Sequence, residues 1–231
     1  MYLLRMNETT SRRIAGVSGI VGTVLSGVIG AIPPPPPLGA TARDVVDYFS
    51  RHQLDFLVLN YLGVLGLVPI FIVIAYTVGL VRRREGEGGW LWLLLLGTGG
   101  FLCAAGFGVL AMVQGVAYIA PEVAPETARA FADVTALWFG LMFLPVVSYA
   151  LTFAWCVLAT RIWPAWIAWL SIVAAILAFV ASVGTIVTKG ALAPGGPATL
   201  VAFLAFLIFL LAYSLLMLFR APRDSDPSAS T

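Results

Sequence analysis

Asn60 and Gln114 are amide side chains set inside long apolar stretches, and with Asp55, Tyr118 and Asp133 they form the one constellation in this chain that could hold a ligand. At about 1.5 Å per helical residue, Asn60 lies on the order of 7 Å inside the start of its stretch, and Gln114 lies at a similar depth from the end of its own. Two readings fit that pairing. The five residues could line a polar vestibule at one face of a membrane, or Asn60 and Gln114 could hydrogen-bond between helices, a contact worth about 1 kcal/mol. The other polar groups at depth are neutral: Thr98, Ser148, Tyr149, Thr152, Ser182, Tyr213 and Ser214. No Asp, Glu, Lys, Arg or His falls in the central part of any stretch. Charges at depth mark ion and proton pathways, and catalysis normally needs an acid, base, nucleophile or metal in the site. The sequence therefore offers no catalytic residue, and an enzyme is the least expected class.

Redox and metal chemistry fail on counting. His52 is the single histidine, so bis-histidine haem ligation within one chain and histidine metal clusters are both excluded. Cys103 lies about 20 Å, and Cys156 about 6 Å, from the same end of the bundle; at that offset their Cα atoms do not reach disulfide range. Both are expected to be free thiols. Gly97, Gly99 and Gly100 imitate a phosphate loop but lack its lysine and its strand. No metal or cofactor is expected.

The elements that must position these residues are hydrophobic throughout. Hydrophobic residues make up 61% and charged residues 10% of the chain, and mean hydropathy is +0.99. These values exclude a water-soluble fold. Six apolar stretches, at about residues 14–32, 56–81, 90–120, 137–159, 162–187 and 200–219, each approach or exceed the ~20 residues that cross ~30 Å of hydrocarbon. Backbone polar groups in lipid must be paired internally, and the alternation of barrel strands is absent, so the stretches are helices. The fold class is all-α: a polytopic six-helix bundle with residues 1–220 as a single transmembrane domain and 221–231 as a solvated tail rich in Ser and Pro. A cleaved signal peptide is the rival reading of the first stretch. It fails because the run exceeds a signal core of roughly 7–15 residues and prolines separate it from Ala40 and Ala42.

Orientation follows from the short loops. Arg5, Arg12, Arg13, Arg82, Arg83, Arg84, Arg161, Arg220 and Arg223 fall on one side, against Arg43, Arg51, Arg129 and Lys189 on the other. Six spans with both termini cytoplasmic satisfy this bias, in a plasma membrane. The net charge of +2 is too small, and its arginines too dispersed, for a nucleic-acid partner. Trp90, Trp92, Trp155, Trp163 and Trp166 are expected as headgroup anchors at the inner boundary, with Tyr48, Tyr61, Tyr118 and Trp138 toward the outer one.

Packing is legible in small residues. Gly19 and Gly27 lie in one four-residue register of the first stretch, Gly22 and Gly30 in a parallel one, and Gly100 and Gly108 repeat the pattern in the third. Small residues at this spacing let backbones approach closely, so the first and third helices are expected to be central. A homodimer seam is the other use of such a stripe. Pro69 and Pro145 each remove a backbone donor and are expected to kink their helices. In the first outer loop, Pro33 to Pro37 should form a stiff extended rod. Thr41 and Asp44 then open a short amphipathic helix, with Val45, Val46 and Phe49 on one face, lying on the membrane surface or across the bundle mouth.

Four segments carry a family resemblance: Arg13-Ile14-Ala15-Gly16, Arg51-His52-Gln53, Arg84-Glu85-Gly86, and Trp163-Pro164-Ala165-Trp166-Ile167-Ala168-Trp169-Leu170. Together they resemble a domain-of-unknown-function family of six-helix bacterial membrane proteins, common in actinobacteria, over nearly the whole chain. Members commonly carry an arginine where this chain has Ala165. The resemblance implies a fold and a membrane, and no activity. The expected function is binding or transport of an apolar or amphipathic small molecule or lipid. The alternative is a non-catalytic membrane partner or structural subunit of a complex. The partners expected are accordingly membrane lipids, a small hydrophobic ligand, and either a second copy or another membrane protein.

Overall fold

The computed structural model describes residues 7–32, 35–86, 88–187 and 189–222. Arg5, Arg223, Pro33, Pro34 and the tail from residue 223 lie outside the described residues. Seven α-helices build the fold: α1 Glu8–Gly27, α2 Ala42–Glu85, α3 Leu91–Ile119, α4 Pro125–Leu141, α5 Phe143–Thr160, α6 Ala165–Ser182 and α7 Pro197–Phe219. Six spans are long and apolar enough to cross a membrane, α4 and α5 together making the fourth. Large apolar side chains stand exposed on every span, among them Val17, Val68, Phe101, Leu151, Ile176 and Ile208. Lipid is the solvent for that surface, and the chain is a multi-pass membrane protein.

The spans close into a ring. α1 packs on α2, α2 on α3, α3 on α5, α5 on α6, α6 on α7, and α7 returns to α1. The expectation that the first and third helices are central is corrected by this arrangement: in the most apolar window of the first span 28% of residues are buried and in the third 33%, against 56% in the fourth. The glycines of α1 explain the difference. They serve two close seams, one on each neighbour, and leave the rest of the helix to lipid. A Cβ on Gly16 or Gly19 would strike Leu218 or Ser214 of α7, whereas one on Gly22 would stand 2.9 Å from the Gly66 carbonyl oxygen of α2. Gly27 has ordinary space and Gly30 has nothing within 4 Å. In α3 the close seam is at Gly99, against Ile74, and at Gly106, against Leu67. Gly100 has open space around it, and Gly108 has only the Trp138 indole nitrogen at 3.9 Å.

Local chemistry fixes the helix ends. Thr41 caps α2, accepting the Asp44 N–H at 3.2 Å. The amphipathic stretch from residue 42 is therefore a short helix, residues 42–51, and the backbone leaves helical geometry at His52 (φ −111°, ψ 16°), a kink that sets it off from the long span that completes α2. Its Val45 and Phe49 pack with Phe56 on Val116, Ala117 and Ala120 at the end of α3, so the apolar face roofs the bundle. Gln53 fastens the bend by donating to the Ala117 carbonyl at 3.1 Å. α2 continues with helical backbone through Pro69, because a fixed φ near −65° is compatible with a helix. Pro145 behaves differently: the chain breaks between α4 and α5 at Met142, next to Leu141, whose carbonyl the proline cannot serve.

At the opposite end, Glu85 accepts the N–H groups of Leu91 and Trp92 at 3.1 and 3.0 Å. The arginines gather here: Arg82 lies over the Trp92 ring at 4.9 Å, Arg83 pairs with Glu8 at 3.7 Å, and Arg84 donates to the Thr160 carbonyl at 3.2 Å. We call this the arginine end and the other the loop end. Trp90, Trp155 and Trp166 are exposed near the arginine end, as interface anchors are. Trp163 is a correction: it is 1% exposed and packs edge-on against Tyr213 at 6.0 Å, since the turn after Arg161 folds it into the ring.

Candidate functional site

The five polar residues singled out in the sequence do not converge on one vestibule. Asn60 is fully buried and donates to the Leu110 carbonyl at 2.6 Å and to the Gln114 side-chain oxygen at 2.9 Å, bonding α2 to α3. Gln114 and Tyr118 line a shallow lipid-side groove with Leu57, Tyr61 and Phe107. Asp55 faces solvent and bonds the His52 ring at 3.2 Å. Asp133 alone reaches the interior of the ring.

That interior is a cavity of about 420 Å³, within the usual range for small-molecule sites. It begins under Pro35, Pro36, Pro37, Pro194 and Gly195 at the loop end and reaches Ile70, Leu102, Val146 and Leu210. Leu210 lies 13 residues into α7, a depth of about 20 Å. Phe49, Phe56, Phe139, Phe143, Phe203 and Phe206 supply much of the wall. The ring forms it because α4 offers Ala132, Ala136 and Phe139 at helical spacing to the lumen, with Asp133 on the flank of that face.

Below the cavity the lumen is shut. Phe153 meets Phe209 at 5.1 Å and Tyr213 at 4.7 Å, both edge-on, and Tyr149 lies against Phe153 at 6.3 Å. All four are 0% exposed. The cavity therefore lies between the proline loops with Val45 and Phe49 at the loop end and a plug of aromatic rings toward the arginine end.

Few polar groups face it. Thr135 spends its hydroxyl on the Phe131 carbonyl at 2.8 Å. The Ser26 hydroxyl is buried without a partner among the described residues. Asp133 is the only charged side chain in the described lining, and it makes no hydrogen bond or ion pair with any described residue. Cys103 also lines the wall, and both it and Cys156 are free. Among the described residues no cluster of His, Cys, Asp and Glu could hold a metal ion. Such a site can hold an apolar body against its wall with a polar end beside Asp133.

No protein-family model, no curated protein and no solved structure matches the chain. The reading of function accordingly rests on the cavity's geometry. Sequence reasoning missed most of that cavity, because Phe143, Phe203 and Phe206 look the same in sequence whether they face a void or a neighbour. Asp133 was the available signal: a carboxylate near an apolar helical face.

Proposed function

We propose that this protein binds an apolar or amphipathic molecule, a lipid or small hydrophobic compound, inside its ring of helices. One observation carries the reading: a cavity of about 420 Å³ with a largely apolar wall, lying between the proline loops and the aromatic plug. A void of this size in a close-packed bundle forfeits dispersion contacts on every wall, and a ligand restores them. Transport would additionally require the plug to open; binding does not. By the positive-inside bias the arginine end is cytoplasmic and the loop end of the cavity lies on the outer side.

A second reading, a membrane partner that packs against another copy or another protein, draws on α3. Its Gly97, Ala104, Ala111 and Gly115 form a small-residue stripe that is exposed on the lipid side.

Native mass spectrometry of the protein released from nanodiscs tests the first reading. Wild type is expected to retain a lipid or small-molecule adduct, and Ala136→Trp or Cys103→Trp, which fill the void, are expected to lose it while melting as wild type does. An adduct-free wild type, or adducts indifferent to both substitutions, would overturn it. Recovery of a specific protein partner with an empty chain would support the second reading.

A further inference from the structure

We infer that the ligand of this cavity carries a positive charge, so that the class it takes is lipophilic cations: an apolar body with one ammonium-type end that seats beside Asp133. The inference rests on the binding reading above and adds the sign of the head group.

Asp133 is the starting point. A carboxylate beside an apolar void is costly unless something pairs with it or water reaches it. The described lining supplies no cation, since neither Arg nor Lys appears in it. The nearest basic residue on the same helix, Arg129, is engaged with Glu126 at 3.8 Å, and Arg43 at this end pairs with Asp47 at 4.0 Å. Asp133 stands eight residues into α4, about 12 Å along the helix, so its charge lies below the loops and beside the phenylalanine wall. The rings add to the same preference. A cation within about 6 Å of an aromatic face is attracted by the ring quadrupole, and more strongly where water is excluded. Phe49, Phe56, Phe139 and Phe143 are among the rings that line the void.

The opposite sign fits badly. A fatty acid or an acidic lipid would bring its own charge to a wall whose only charged side chain among the described residues is another carboxylate, with no described arginine or lysine to receive it. A neutral alcohol meets no such repulsion and can donate one hydrogen bond to Asp133, but it leaves the carboxylate charge uncompensated. Specificity of this kind is a difference between affinities and needs only one repulsive and one attractive element. The unpartnered Ser26 hydroxyl, on α1, can donate or accept and therefore does not set the sign of the preference.

Three probes with the same ten-carbon chain separate the possibilities: decyltrimethylammonium, decanol and decanoate, each titrated against the protein in a non-ionic micelle and read by native mass spectrometry. The ammonium should be retained at a concentration about tenfold below that needed for the alcohol, with decanoate weakest. Asp133→Asn should bring the ammonium to the level of the alcohol and leave decanol unchanged, while Asp133→Glu should keep the preference. Equal retention of the three probes by wild type, or an ammonium preference that survives Asp133→Asn, would overturn the charge assignment and leave the cavity reading in place. Failure of wild type to retain any of the three would overturn both.

Discussion

Thr77 and Tyr213 hold their hydroxyl oxygens 2.7 Å apart, a bond that ties α2 to α7 at the floor of the cavity. Thr77 also donates to, or shares its proton with, the Val73 carbonyl at 2.8 Å, so it keeps a partner if the tyrosine hydroxyl is removed. Tyr213→Phe is expected to cost about 1 kcal/mol. Tyr213→Ala is expected to cost about 3–5 kcal/mol, because Phe153, Phe209 and Trp163 all pack on that ring. Reversible unfolding in mixed micelles measures both. A Tyr213→Ala loss no larger than that of Tyr213→Phe would mean the ring does not plug the lumen.

Gly22 and Gly66 make the tightest crossing of α1 on α2. A Cβ on either would stand 2.9–3.1 Å from the other's carbonyl oxygen, so neither backbone can yield without moving its helix. Gly22→Val and Gly66→Val are each expected to lower stability by about 1–3 kcal/mol through overpacking. Gly30→Ala and Gly100→Ala, which meet open space, should stay within about 0.5 kcal/mol of wild type. Thermal melting of the four purified variants checks the contrast, and equal losses in all four would refute the seam.

The hairpin from α2 to α3 depends on Glu85, whose two carboxylate oxygens take the Leu91 and Trp92 N–H groups. These are orphan donors of the α3 N-terminus. Gly86 makes the turn possible with φ at +77°, a conformation that a Cβ resists. Glu85→Ala is expected to cost about 1 kcal/mol, the usual loss for a cap. It should also raise proteolytic cleavage at this loop, which a gel time course reads directly.

The apolar runs announced the spans because hydrocarbon leaves the backbone no alternative to helix, and Thr41 announced a helix start because capping is local chemistry. Tertiary choices were not legible. The short helix at 42–51 was legible, but the place and sharpness of its kink at His52 were not, since Gln53, which fastens the kink, finds its partner 64 residues away. Gly99 and Gly100 are neighbours in sequence, yet only the first meets Ile74. Which of two adjacent small residues faces a neighbour is set by helix rotation, which is fixed by the whole ring. For the same reason the amides Asn60 and Gln114 were legible as partners, whereas the phenylalanine-lined void was not.

Asn60 and Gln114 offer the last test, because their bond has a stability signature distinct from a binding one. Asn60 uses its amide N–H groups on Leu110 and Gln114, and it does not line the cavity. A double-mutant cycle of Asn60→Leu and Gln114→Leu is expected to give a coupling of about 0.6 kcal/mol, and up to about 2 kcal/mol, in unfolding free energy. Retention of decyltrimethylammonium should be the same in both single variants as in wild type, since α2 and α3 still meet at Gly106 and Leu67. If retention falls while unfolding is unchanged, the pair belongs to the binding site and the polar groups at this level act on the ligand rather than on the helix seam.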